Sequence, residues 1–206
     1  MGTKRAGFAM VLVFVTYFVQ SANTPMLNTY LDEEGYRPIM LGIGFAIVCV
    51  CYTLSMPCIE IFKVRVTKRG IMVLGLFLQA IGMFITGIEQ VKSFHNPGAF
   101  ALLGMIIYGF GLGMVTIPVM PEILEGIEVE YDNDFNDQLL YNHVSGFFIM
   151  SQAVGETCGP LTQALVELTL DFRPTQEIFV SLLVVFTLIY TWQVGSKQFW
   201  NPNDKA

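Results

Sequence analysis

The sequence predicts an all-α membrane protein of six transmembrane helices, on three observations. Of 206 residues, 53% are hydrophobic and only 14% charged, against about 25% charged in soluble domains. The charges collect in short clusters between six long apolar runs, close to the ~20 residues a helix needs to cross a hydrocarbon core. These runs are continuous, whereas a transmembrane barrel needs strands of ~10 residues with alternating polarity.

Ala6–Leu31 is uncharged and follows Lys4 and Arg5. Its apolar stretch is too long for a signal peptide and continues past Ser21-Ala22-Asn23, so it reads as a retained helix. Ile39–Ile59 is uncharged and stops at Glu60; Ile71–Ile88 and Gly98–Pro121 are also uncharged. Val144–Val166 carries one charge, Glu156, and Ile178–Val194 carries none. Helices are therefore expected at residues 6–31, 39–61, 71–88, 98–124, 143–169 and 177–194 of a single domain, 1–206. Residues 125–142 form an acidic cytoplasmic loop in this reading.

Basic residues set the orientation. With the N-terminus inside, Lys4, Arg5, Lys63, Arg65, Lys68, Arg69, Lys197 and Lys205 fall inside, and Arg37, Lys92 and Arg173 outside. An even helix count then puts both termini in the cytoplasm. The net charge is −6, and no Lys or Arg occurs between Lys92 and Arg173. An acidic chain of this kind excludes nucleic acid as a partner. Cys49, Cys51, Cys58 and Cys158 all lie within the expected helices. They read as small apolar packing residues, without disulfide or zinc spacing.

Connections are short except the acidic one, and the six helices split as three and three. Transporter folds nest inverted three-helix repeats within six-helix halves. Asn23-Thr24-Pro25 in the first helix and Thr116-Ile117-Pro118 in the fourth are weak echoes of one another. Proline removes a helical hydrogen bond, so both helices are expected to bend there.

Polar residues at bilayer depth must avoid lipid. In the fifth helix Ser145, Gln152, Glu156, Gly159 and Gln163 share one stripe at ~100° per residue, which Glu167 continues. In the first, Thr16, Gln20, Asn23 and Thr24 do the same, with Asn28 one turn on. Gly75, Gln79, Gly82 and Thr86 mark the third helix, and Gly104, Tyr108, Gly111, Val115, Pro118 and Glu122 the fourth. Small residues of this spacing, as in Gly109-x-x-x-Gly113 and Gly155-x-x-x-Gly159, bring helices close together. The third helix reads as packing alone. The amides of the first helix and the acid of the fifth are more than packing needs. Glu156 must be protonated, paired or facing a wet cavity, and no Lys or Arg lies in any span to pair with it. It is the candidate proton-coupling or cation-binding acid, against the plain alternative of a structural acid bound to a neighbouring helix. Glu60 at its helix end is placed to pair with Lys63 or Arg65.

No catalytic motif, phosphate-binding loop or cofactor signature occurs, so the chain does not read as an enzyme. Asp132-x-Asp134-x-Asn136 begins like a calcium loop, but Asp137 replaces the required Gly and His143 the final Glu. His95 and His143 have no ligand cluster around them.

Four stretches follow one another over nearly the whole chain: Ser21-Ala22-Asn23-Thr24-Pro25 running to Leu31; Gly42-Ile43-Gly44-Phe45-Ala46 through Met56-Pro57; Lys63-Val64-Arg65-Val66-Thr67-Lys68-Arg69; and Val144-Ser145-Gly146-Phe147-Phe148 leading to Gly155-Glu156-Thr157-Cys158-Gly159-Pro160-Leu161. In that order they resemble the seventh helix, the eighth, the basic loop after it and the eleventh of a major facilitator superfamily transporter, nearest in appearance to the vesicular amine and polyamine transporter branch. The basic loop has departed from the family pattern. Glu60 stands at its first Gly, Val64 at its Asp and Thr67 at its second Gly, and only Arg65, Lys68 and Arg69 remain as gating-loop residues.

The resemblance implies half of a major facilitator fold, with the first and fourth helices lining a cavity. Gln20, Asn23, Thr24, Asn28 and Tyr108 would face substrate, with Gln152 beside them and Glu156 coupling protons. The implied activity is secondary transport of a small polar or cationic solute across a lipid bilayer, without a cofactor. The family site lies between two six-helix halves, so the chain is expected to work as a homodimer, to join a separate N-terminal half, or to be a fragment whose first half lies upstream. The alternative is a non-transporting structural subunit of a larger membrane complex derived from such a half.

Overall fold

The computed structural model describes residues 2–33, 35–88, 97–131, 137–168, 170 and 172–194. Among these residues there are six α-helices and no strand: α1 (Gly2–Glu33), α2 (Pro38–Phe62), α3 (Lys68–Ile88), α4 (Pro97–Tyr131), α5 (Asp137–Glu167) and α6 (Phe172–Val194). Each covers one of the apolar runs. Lys92, His95 and the Asp132–Asn136 motif lie outside the described residues, as do Lys197 and Lys205.

One reading needs correction. The segment 125–142 is not one loop, because α4 runs on to Tyr131 and α5 begins at Asp137. Glutamate is a good helix former, and Glu122 and Glu125 hold this end of α4 against the start of α3 through Arg69 and Lys68. Among the described residues, five of the six expected spans are long and apolar enough to cross a membrane: α1, α2, α3, α4 and α6. The exception is α5, whose 31 residues suffice in length. Its interior carries Ser151, Gln152, Glu156, Thr157, Thr162 and Gln163, which lower its hydropathy. Five such helices make this a multi-pass membrane protein.

The surface agrees. Ile39 is 71% exposed, Leu165 68% and Trp192 82%, a display of apolar groups that water would penalise and lipid would not. Several exposed hydroxyls within the helices are satisfied locally. Thr53, Thr157 and Ser181, all exposed, donate to the carbonyl four residues back, which spares them a partner in the bilayer.

α4 lies at the centre, with α1, α2 and α3 packed around it; α5 leans on α1, and α6 on α3. Missing side chains set these approaches. A methyl on Gly75 would lie 2.8 Å from the Gly111 carbonyl oxygen, and one on Gly82 would lie 2.6 Å from the Tyr108 nitrogen. Gly109 meets the backbone of α2 at Val48 in the same way. On the other flank, methyls on Gly155 and Gly159 would come within 2.7 Å and 2.6 Å of the Phe14 and Phe18 carbonyls of α1. Backbone cannot yield as a side-chain tip can, so these glycines are what lets the helices touch. Around the contacts, Leu12, Val13, Val19, Leu76, Met83, Val115, Ile123 and Leu183 form the main buried core.

Short connections fix the order. Gly35 turns the chain between α1 and α2 at φ 81, a left-handed conformation that costs glycine nothing. Pro38 then starts α2, where its missing N–H is not needed. The Tyr36 hydroxyl accepts the Gly98 N–H at 2.8 Å and so caps the otherwise unpaired first turn of α4. Thr67 caps α3, its hydroxyl accepting the Gly70 N–H at 3.3 Å.

Candidate functional site

A cavity of about 480 Å³ opens where α1 meets α5, lined by Tyr17, Gln20, Ser21, Thr24, Pro25, Asn28, Glu156 and Pro160. The α1 residues recur every three or four positions, so they form one face of that helix. The close backbone approach at Gly155 and Gly159 puts Glu156, between them in sequence, at the edge of this face. One wall is therefore polar within a bundle that exposes many large apolar side chains.

Each polar group here has a definite partner. Glu156 Oε1 accepts from Gln152 Nε2 at 2.9 Å, one turn back on α5. The Glu156 backbone carbonyl has lost its helical donor, because the residue four positions on is Pro160. The Ser21 hydroxyl reaches across from α1 and donates to it at 2.7 Å. Pro25 withdraws a donor from the Ser21 carbonyl in the same manner. Thr24 donates to the Gln20 carbonyl at 2.9 Å. The Gln20 side-chain oxygen is buried without a hydrogen-bond partner.

Four of the seven residues expected at the site, Gln20, Thr24, Asn28 and Glu156, thus line one cavity. Gln152 reaches it through its bond to Glu156. Asn23 and Tyr108 do not line it. Their side-chain oxygens Oδ1 and OH are buried in the bundle without partners, as are Thr16 Oγ1 and the amide of Gln79. Asn23 lies nearly opposite Pro25 around α1. Tyr108 turns into the core because its own backbone abuts α3 at Gly82. Tyr17, Ser21, Pro25 and Pro160 were missed as lining residues. The signal available was their four-residue spacing: Tyr17, Ser21 and Pro25 in α1, and Glu156 with Pro160 in α5.

The gating-loop residues are also redistributed. Only Arg65 lies in the α2–α3 turn; Lys68 and Arg69 form the first turn of α3. Arg69 Nε donates to Glu122 Oε1 at 2.6 Å, with side chains 13% and 5% exposed. Lys68 pairs with Glu125 next to it. The start of α3 and the last turns of α4 are thus tied by two ion pairs, one of them buried. At the surface, Lys63 pairs with Glu60 at 2.5 Å. All four cysteines are free thiols, with Cys51 buried and Cys49 exposed. Among the described residues no group of three His, Cys, Asp or Glu is placed to hold a metal.

Neither a protein-family model nor a curated protein matches this chain.

Proposed function

We propose that the chain is one six-helix half of a secondary transporter of the major facilitator type, moving a small polar or cationic solute, with Glu156 as the proton-coupling acid. The polar cavity at the α1–α5 junction carries this reading. An acid, two amides and hydroxyls grouped at the depth of an otherwise apolar span cost too much to be idle. The sixth span is α5, which turns Phe147, Ile149, Met150, Val154, Leu161 and Leu165 outward while its acid looks into the cavity. An inverted repeat belongs to this reading: exchanging α1, α2 and α3 for α4, α5 and α6 carries the α1–α5 contact onto the α4–α2 contact, whereas the extensive α3–α4 contact falls on the slight α6–α1 one. On this reading both termini are cytoplasmic and a second six-helix body covers the cavity.

Two measurements test the proposal. Native mass measurement of the chain in mild detergent should give a dimer or a complex with a second six-helix protein. In proteoliposomes under an imposed proton gradient, the wild type should accumulate a member of a panel of labelled small polar and cationic solutes, and Glu156→Gln should lose the proton dependence. A single copy inside an assembly without a second half would overturn the proposal in favour of a structural subunit. So would unaltered proton coupling in Glu156→Gln overturn the role of the acid.

A further inference from the structure

Two prolines within continuous helices meet on one wall of the cavity. Pro25 leaves the Ser21 carbonyl without its helical donor, and Pro160 does the same to the Glu156 carbonyl. All four residues line the cavity. The second carbonyl is served by the Ser21 hydroxyl. The first has no side-chain donor among the described residues. Next to it, Gln20 presents a buried amide oxygen that also lacks a partner. The Glu156 carboxylate completes a group of oxygen acceptors, and the lining contains no Lys, Arg or His.

Such a set carries one negative charge and no positive one. Carbonyls without a helical donor, together with a carboxylate, are ligands suited to small monovalent cations at bilayer depth. One carboxylate balances one positive charge, whereas a divalent ion draws on more acidic oxygens. The burial of the Gln20 oxygen favours a bare ion over an ammonium group with an alkyl tail. We propose that a sodium ion binds at the α1–α5 junction, held by the Glu156 carboxylate, the Gln20 side-chain oxygen and the Ser21 carbonyl. Water from the open side of the cavity fills the remaining coordination positions. The site joins α1 to α5 and takes up little of a cavity of about 480 Å³, leaving room for a solute alongside. The proposal rests on the cavity being a ligand site, as argued above, but not on transport.

The test is equilibrium binding of radiolabelled sodium to the purified full chain, with thermal unfolding in sodium, potassium, methylammonium or N-methylglucamine chloride at equal ionic strength. Sodium should bind saturably and raise the unfolding temperature above that in N-methylglucamine. Glu156→Gln and Gln20→Leu should each weaken binding by about tenfold or more, the loss of one strong polar contact. Glu60→Gln, at an exposed helix end, should leave it unchanged. Binding that survives in both cavity variants overturns the site. A response to methylammonium with none to sodium overturns the choice of ion, as does equal stabilisation by all four salts. Should a cavity variant fail to fold, the salt series on the wild type decides the matter. Sodium binding without uptake of any solute would sink the transporter reading and leave this one standing; proton-coupled uptake without sodium binding would do the reverse.

Discussion

Replacing Arg69 with Met should destabilise the bundle by about 3–5 kcal/mol, the range for stripping one partner from a buried ion pair. Arg69 and Glu122 lie 2.6 Å apart, and their side chains are only 13% and 5% exposed. Solvent screening therefore gives little relief. Methionine preserves most of the arginine stem, so lost packing adds little. What remains is a largely buried glutamate that has lost its closest counter-charge. Neighbouring Lys68, already engaged by Glu125, offsets part of this and places the expected cost near the lower figure. The double variant Arg69→Met with Glu122→Leu removes both charges and should recover most of the loss, since apolar replacement of a whole buried pair is commonly neutral or stabilising. Thermal unfolding in detergent, followed by circular dichroism, reads the difference. A chain of this size shifts by roughly 2–4 °C per kcal/mol, so the single variant should melt about 6–12 °C lower. If it melts within about 2 °C of wild type, or if the double variant loses the sum of the two singles, the pair is not a buried, coupled unit.

Two further outcomes follow from the α1–α5 seam. Ser21→Ala should cost about 1–2 kcal/mol by leaving the Glu156 carbonyl without a donor, but much less in a Pro160→Ala background, where the helix supplies its own N–H; equal costs in both backgrounds, measured by unfolding, would show that the hydroxyl does not serve that carbonyl. Gly159→Ala should cost more than about 2 kcal/mol, because the new methyl meets the Phe18 carbonyl at 2.6 Å and overpacking of this kind costs ~1–3 kcal/mol. Gly146→Ala on the same helix, with nothing within 4 Å, should gain up to about 1 kcal/mol of helix propensity.

The helices were legible because a bilayer demands unbroken apolar length, and a charge-free run displays that directly. Helix ends were less legible. The runs stop where the lipid stops, while the α-helix continues into water, as α4 does through its glutamates to Tyr131. Spacing found the cavity face of α1 because Gln20, Thr24 and Asn28 repeat at the helical period. It could not separate Asn23 from that face, since the two sides of a single polar stripe pack against different helices. Tyr108 shows the same limit, because its place depends on Gly82 of α3, which only the folded contact reveals. The Arg69–Glu122 pair joins residues 53 apart, and no local pattern in either segment names the other.

The helix that fails as an ordinary span and the helix that bears the acid are the same one. Gln152, Glu156 and Gln163 lower the hydropathy of α5: Gln163 is buried, while Gln152 bonds Glu156 at the open side of the cavity. Its outer side, from Phe147 through Leu165, is as apolar as any other helix here. A soluble helix of this composition would bury its leucines. In α5 Leu161 and Leu165 face outward, Glu156 lies exposed at the open cavity, and Gly155 and Gly159 hold the opposite side against α1. Sequence hydropathy averages over the circumference of a helix and so records only the dilution. Taken face by face, the low average is what a lipid-facing helix must show when it also carries one wall of a polar site.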